Sequence, residues 1–396
     1  MEKTRFMRTI RAIIPLLICL LFPGCTIQAQ ADDLPRHADD WMENPLRGAV
    51  VELSWLGGGE EYQPEFGYVP PAESFEQMRD LGANVVVLYV QQTWTMEAPY
   101  EALPDEIALL EEALDNIGDT LPVVIGIRNG PGRNEMMPYH DDETLLEDNV
   151  YNSEEARDAY IEMLADTVSR FQDYDSIIAW EPMVEPTPQF YFGDEFLYED
   201  ESVIPPMPEG MAWWNDIANR SIDAIRDIDP DVTIVLEPIA YGGVPGFIGW
   251  EAFDDDNIVY SLHQYDPFEY THQFSEPYEI VYPYWSDIEW AEINAGWFDY
   301  YFAPVDAFQQ TYDVPIFVGE WGLIRWVPNG EQFLQDQLNA FEARGWSNAY
   351  YAWYDGVWDG SGFELQLGTD RSNYFEPDFD NPIFAPVRNN WALNQQ

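Results

Sequence analysis

Cysteine is nearly missing from this chain of 396 residues: Cys19 and Cys25 are the only two, and both lie close to the N-terminus. From residue 32 onward there is no thiol, which excludes a disulfide framework and a Cys-ligated metal there. Lysine is rarer still, since Lys3 is the only one. Lysine and arginine together number 17 against 73 acids, a net charge of -56. Phosphate contacts need clustered Lys and Arg, so most nucleic-acid binding is excluded, and polyanionic substrates and anionic membrane surfaces are disfavoured. There are four histidines, with no HExxH and no spaced metal pair among His37, His140 and His272. No metal or other cofactor is expected. Acid runs such as Asp254-Asp255-Asp256 read as solvated charge rather than as a Ca²⁺ loop. A Gly-rich phosphate loop is missing too. Gly57-Gly58-Gly59 lacks the spaced pattern and the lysine such a site needs, which argues against a doubly wound dinucleotide fold.

Long apolar runs are also lacking. The one from Ala12 to Phe22 is too short to span a bilayer. Behind Lys3, Arg5, Arg8 and Arg11, and ahead of Ala29-Gln30-Ala31, it reads as a secretory signal over residues 1–31, leaving a mature chain of 32–396. Gly24-Cys25 offers a second reading, a lipoprotein junction lipidated at Cys25, though Phe22-Pro23 fits that pattern poorly. The expected location is therefore extracellular or periplasmic, and the expected state a monomer. The acidic, lysine-poor composition also suggests adaptation to high salt, where screening suppresses self-repulsion, or to an acidic milieu.

What is present is a chain with 46% apolar residues and 23% charged, in the range of globular proteins. No internal repeat and no Gly/Ser/Pro-rich linker divides it. Apolar, β-branched runs recur at Ala49–Trp55, Asn84–Val90, Pro122–Ile127, Ser176–Trp180, Thr233–Glu237, Asn257–His263, Val314–Glu320 and Asn348–Trp353. Helical patterns fall between them, near Glu73–Leu81, Asp105–Asn116, Ser153–Phe171, Met211–Ile228 and Glu331–Arg344. Eight strands alternating with helices predict a single-domain α/β fold, a (β/α)8 TIM barrel.

In such a barrel chemistry sits at the carboxyl ends of the strands. The fourth strand runs into Trp180-Glu181-Pro182-Met183-Val184-Glu185-Pro186, and the seventh ends in Gly319-Glu320-Trp321. Two glutamates across the mouth, amid aromatics, suit glycoside hydrolysis. One carboxylic acid protonates the leaving oxygen and a second carboxylate attacks the anomeric carbon, with about 5–5.5 Å between them for retention. Glu181 is expected to face the barrel interior and be satisfied by an arginine. Glu237 ends the fifth strand with no assigned role. Trp55, Trp94, Trp285, Trp290, Trp297, Trp321, Trp326 and Trp358 are candidates to line a sugar cleft, although most tryptophans in any protein are packing.

Four segments carry a resemblance. RDLGANVVVLYV (Arg79 to Val90), WEPMVEP (Trp180 to Pro186), HQYDPFEYTHQ (His263 to Gln273) and PIFVGEWG (Pro315 to Gly322) occur in the order and spacing of the cellulase family of glycoside hydrolases, family five. The chain resembles that family over nearly its whole length. The resemblance implies Glu185 as general acid/base and Glu320 as nucleophile. It implies Tyr265 bonded to the nucleophile, His263 positioning the sugar or the acid/base, and Trp353 as the floor of the cleavage subsite. Two departures stand out. The family's asparagine before the acid/base is Val184, and its strand-two arginine aligns with Val87. Arg128, beside Asn129 at the end of the third strand, is the candidate to supply that missing charge. The expected partner is a neutral β-linked polysaccharide or oligosaccharide, with endo-β-1,4-glucanase the first reading and endo-β-1,4-mannanase the second. From another class, a carbohydrate-binding barrel with impaired catalysis is favoured by Val184 and Val87 and disfavoured by the intact glutamate pair.

Overall fold

The computed structural model describes residues 34–53, 69–135, 146, 148–188, 208–274, 277–355, 362–374 and 376–395. The expected signal segment, Trp55, the triple glycine at 57–59, His140 and Trp358 lie outside them.

Eight parallel strands close into a barrel. In chain order they are β1 (Arg47–Glu52), β2 (Val85–Val90), β3 (Val123–Ile127), β4 (Ile177–Glu181), β5 (Thr233–Leu236), β6 (Ile258–Gln264), β9 (Ile316–Trp321) and β10 (Ser347–Asp355). Each pairs with its neighbour, and β10 returns to β1. Strands buried on both faces read as continuous apolar runs, as VVVLYV in β2 does. The short β7 (Tyr284–Ser286) and β8 (Ala291–Ile293) form an antiparallel hairpin between β6 and β9.

The helices between strands start and stop where their sequences direct. Before α1 (Ala38–Glu43), His37 and Asp40 form a capping box, and Trp41 is buried with its ring edge-on to Phe317 at 5.4 Å. α2 (Ala72–Leu81) follows β1, and α3 (Pro104–Ile117) opens on a proline at its first position. α4 (Glu154–Phe171) is capped by Ser153, whose hydroxyl accepts from the Ala156 amide at 3.3 Å. α5 (Pro208–Arg226) packs beside α4. After β6 come α6 (Phe268–Thr271), α7 (Trp297–Tyr301) and α8 (Ala303–Tyr312). α9 (Gly330–Arg344) leads to β10, and α10 (Ala385–Trp391) packs against α9 and β1.

The expected fold holds, with shifted edges. The first strand starts two residues early and ends at Glu52 rather than Trp55. The fifth ends at Leu236, which leaves Glu237 just beyond it, and the seventh runs on through Trp321. The stretch between β6 and β9 carries three helices and a hairpin that the sequence did not announce. Its aromatic density, as in Trp297-Phe298-Asp299-Tyr300-Tyr301, obscures the helical period.

Candidate active site

Glu320 sits in β9 toward its carboxyl end and is 3% exposed. The strand comes close to β6 because residue 319 is glycine. A Cβ there would lie 2.6 Å from Ser261 Oγ. Two donors meet the Glu320 carboxylate. The Arg128 guanidinium donates through Nη2 to Oε1 at 2.7 Å, and the Tyr265 hydroxyl donates to Oε2 at 2.7 Å. Burial and the Glu320 charge push the Tyr265 hydroxyl well above the usual tyrosine range, so it keeps the proton it donates.

Arg128 follows β3 and is the hub of the site. Besides Glu320 it bonds Glu135, and its Nε lies 3.3 Å from Glu52 Oε1. Its guanidinium also lies over the Tyr89 ring, 4.4 Å from the centroid. Burial alone would depress Arg128, but Glu135, Glu52 and Glu320 together hold it well above its usual value. A guanidinium thus stands beside the Glu320 carboxylate although Val87 is a buried apolar residue of β2. Asn129 does not reach the carboxylates. Its amide donates to Gln91 at 3.2 Å and its oxygen accepts from the Glu135 backbone at 2.7 Å, which makes it a brace of the loop after β3.

Glu185 lies beyond the end of β4 with a left-handed backbone, φ 51°. Its backbone amide donates to Glu237 Oε2 at 2.8 Å, and its carbonyl accepts from Arg133 at 2.9 Å. Arg133 also donates to the Val184 carbonyl at 2.5 Å and the Arg128 carbonyl at 3.2 Å, tying the loops after β3 and β4 together. The Glu185 side chain meets His263, whose Nδ1–H donates to Oε1 at 2.9 Å. Burial lifts Glu185 above the ordinary glutamate range, against the pull of His263 and with the Glu320 charge adding to the rise. Ligand-type atoms of Glu185, His263 and Glu320 all lie within 4.8 Å of one another.

His263, in β6, is 3% exposed and sits among carboxylates. Its Nδ1 meets Glu185, its Nε2 lies 2.7 Å from Glu237 Oε1, and the Tyr89 hydroxyl is 3.3 Å from Nε2. Burial would depress the imidazole, but Glu237, Glu320 and Glu185 outweigh it and hold the ring well above its usual value.

Three expectations need correction. Trp353 is not at the mouth. Its indole N–H donates to Ser74 Oγ at 2.8 Å in α2, and its ring stacks on Phe379 at 5.6 Å and tilts against Trp391 of α10 at 6.0 Å. The β1–β10 register shifts between Ala49 and Val51, so the pleat that would point residue 353 inward is broken. Tyr351 turns inward instead and bonds Glu52. Trp321 likewise packs in the helix layer, against Phe341 of α9 and Tyr350. It follows Glu320 directly, and adjacent residues of a strand face opposite sides. Glu181 does face the interior, but its partner is Glu237 rather than an arginine.

Of the other tryptophans, Trp297 is buried against Tyr301 at 4.5 Å. Trp94 and Trp326 donate to Asp166 and to the Gln273 carbonyl. Trp285 and Trp290, on the hairpin, are 59% and 79% exposed. Asp255 pairs with Arg226 at 2.8 Å and is largely covered, so this acid is not the freely solvated charge expected of the run. His272 stacks on Phe268 at 3.6 Å, and burial lowers it to about 3, so it is a neutral part of an aromatic wall with Tyr265 and Phe363.

Glu52, Tyr89, Gln91 and Tyr351 are site residues that the sequence did not single out, whereas Arg133 and Glu135 belong to the 130–135 loop after the third strand, which reads from sequence as a loop at the site face. The available signal was a charge or amide at a strand end, as in Glu52 after VV and Gln91 after VLYV.

Comparison with known proteins follows the same line. A match to the family described as Cellulase (glycosyl hydrolase family 5) spans residues 59–356. The chain is 32% identical over 157 residues to Endoglucanase 3 of Fibrobacter succinogenes, covering 37% of this chain and 22% of that protein. It is 29% identical over 112 residues to Cellodextrinase A of Ruminococcus flavefaciens, covering 28% and 33%. The chain therefore matches between about a fifth and a third of the length of these curated relatives. Among solved structures, endoglucanase Cel5A of Thermotoga maritima superposes with a TM-score of 0.61 at 19% identity, covering 89% of this chain and 98% of that one. A structure described as a glycoside hydrolase gives 0.65 at 17%, covering 87% and 99%. At such identities the superpositions speak to the barrel alone. The family match covers most of the chain, and on it the chain belongs to the cellulase family of glycoside hydrolases, family 5.

Proposed function

We propose that this protein is a secreted, retaining endo-β-1,4-glucanase acting on neutral β-linked glucan. The observation that carries the reading is the carboxyl pair: Glu185 and Glu320 bring oxygens within 4.8 Å of each other at the barrel mouth, close to the separation that retention needs. Glu320, held by Arg128 and Tyr265, attacks the anomeric carbon. Glu185 gives its proton to the departing glycosidic oxygen as that bond breaks, leaving a glycosyl ester on Glu320. A water then enters, Glu185 takes its proton, and the hydroxide oxygen displaces Glu320 from the anomeric carbon. Burial of Glu185 favours the protonated form that the first step requires. The relatives' descriptions as endoglucanase and cellodextrinase support a β-glucan substrate. Secretion rests on the basic-then-apolar N-terminus with its Ala29-Gln30-Ala31 site.

The test is reducing-sugar release from carboxymethyl-cellulose, mixed-linkage β-glucan, glucomannan, galactomannan and xylan, at low and at molar salt, with Glu320→Gln alongside. The expected result is release from the β-glucans that disappears in the variant, with the β-anomer formed first by NMR. Release from galactomannan in preference would make it a mannanase. An α-anomer formed first would overturn retention. Silence on every polymer from folded protein would leave a binding barrel.

A further inference from the structure

Beneath the two catalytic carboxyls lies a buried acidic column that the double displacement does not itself use. Glu237, immediately after β5, is fully buried, as is Glu181 at the end of β4. Glu237 makes two contacts that converge on the acid/base. Its Oε2 accepts from the Glu185 backbone N–H at 2.8 Å, and its Oε1 lies 2.7 Å from His263 Nε2. His263 in turn holds the Glu185 side chain at 2.9 Å. One carboxylate therefore grips Glu185 twice, directly at the backbone and through the imidazole at the side chain. The grip bears on a residue whose φ of 51° a glutamate does not adopt readily.

Glu237 is itself closely held. Its carbonyl accepts from the Trp214 indole of α5 at 2.9 Å. The loop behind it carries three successive left-handed residues, Ala240, Tyr241 and Gly242. Gly242 lies so close that any Cβ would collide with Glu237 Oε2. Among the described residues neither carboxyl oxygen of Glu181 meets an N–H or hydroxyl donor, and its hydrogen-bond partner is the Glu237 carboxyl. Two carboxyls can bond only if one carries a proton. Burial and the neighbouring charges push Glu181 well up, while His263 and the bonds from Glu181 and the Glu185 amide draw Glu237 down against its own burial. The N–H and imidazole gathered at Glu237, and the lack of any such donor at Glu181, favour the protonated form at Glu181.

We infer that Glu237, backed by the carboxylic acid of Glu181, is the positioning residue that sets the Glu185 acid/base over the scissile bond. The inference rests on the retaining reading and names a requirement inside it. A carboxylate at 237 is needed because it must accept from the Glu185 N–H and at the same time set a negative charge beside the His263 ring. An amide there offers the imidazole no charge and replaces one of the two oxygens with a donor group.

The experiment separates positioning of an acid from support of the fold. kcat/KM is measured on aryl β-glycosides of the disaccharide released from the preferred polymer, with phenol and with 2,4-dinitrophenol as leaving groups. The second departs without a proton. Glu237→Gln is expected to lose about a hundredfold on the phenyl glycoside, within the range general acid catalysis supplies, and no more than about threefold on the dinitrophenyl one. Glu181→Gln, whose amide N–H replaces the acid O–H as donor to Glu237, keeps the wild-type pattern, while Glu181→Leu shows the Glu237→Gln pattern. An equal loss of Glu237→Gln on both substrates, or Glu181→Gln as impaired as Glu181→Leu, overturns the inference. Glu185→Ala is run beside them. If it shows leaving-group dependence and Glu237→Gln does not, the positioning role alone falls. If Glu185→Ala shows none, the acid/base assignment falls and takes the positioning role with it.

Discussion

Arg128 is the residue on which the site turns, because it is a buried cation bonded to Glu320 and Glu135 and close to Glu52. Arg128→Ala removes a donor from Glu320, the proposed nucleophile, and strands buried carboxylates. The expected outcome is loss of most activity together with a stability loss on the order of 3–5 kcal/mol, the usual cost of breaking a buried pair, checked by kcat/KM and urea unfolding. Near-normal activity would remove Arg128 from the site. Glu185 gives a second prediction. A general acid works while protonated, so kcat/KM falls as pH rises through its value in the free enzyme. That value lies above the ordinary 4.5, so the alkaline limb is expected above the usual glutamate range. A limb at the ordinary value would contradict the burial argument. Legibility at this scale was uneven. Glu185 and Glu320 stood out at strand ends, His263 and Tyr265 came from the resemblance, and Arg128 from the charge the resemblance lacks; the structure brings the five side chains together. Trp353 and Trp321 were misplaced because a linear pattern assigns a residue to a strand end without saying which face it occupies.

At the scale of elements, the strands were readable because a parallel barrel strand is apolar on both faces and stands out as a run. The helix α7 was not, because aromatics on every side of a five-residue helix erase its period. Close approach between strands was invisible as well, since it shows only as an unremarkable glycine. Gly319→Ala would press a methyl against Ser261 at 2.6 Å, one residue from the nucleophile. Overpacking of that kind costs about 1–3 kcal/mol, so a lowered urea midpoint and a displaced Glu320 are expected. The readout is a drop in kcat on every substrate, in contrast to the selective loss expected at Glu237. Unchanged stability and kcat would mean that β6 yields where it is drawn as tight.

For the whole molecule the controlling quantity is charge. A net of -56 on 396 residues makes self-repulsion a term that salt screens. Buried groups add a pH dependence of their own. Glu181 and Glu185 hold protons in the folded state above the ordinary 4.5, and His263 holds one above the ordinary 6.5. Between those ordinary values and the raised ones the folded protein binds more protons than the unfolded chain. Its stability therefore falls as pH rises through that window. Glu237 and Asp255, drawn down, act in the opposite sense below their ordinary values. Stability is expected to be greatest in mildly acidic solution and to decline toward alkaline pH. Molar salt should recover the part due to the surface and leave the part due to the buried column. Urea titrations at two salt concentrations across that range measure both. A stability that rises from mildly acidic to alkaline pH at molar salt would refute the account of the column.

The place of Arg128 also bears on how relatives of this chain are recognised. Where the resemblance to the family places an arginine on the second strand, this chain has Val87, and a guanidinium stands 2.7 Å from Glu320 on Arg128, just after the neighbouring strand. What chemistry conserves is a charge at a point in space, and the backbone that delivers it is free to change. A survey that scores competence column by column would file this sequence, and any others that made the same exchange, among the dead members of the family. One that asks only for a guanidinium within reach of the nucleophile would keep them, and would find the exchange wherever it has recurred.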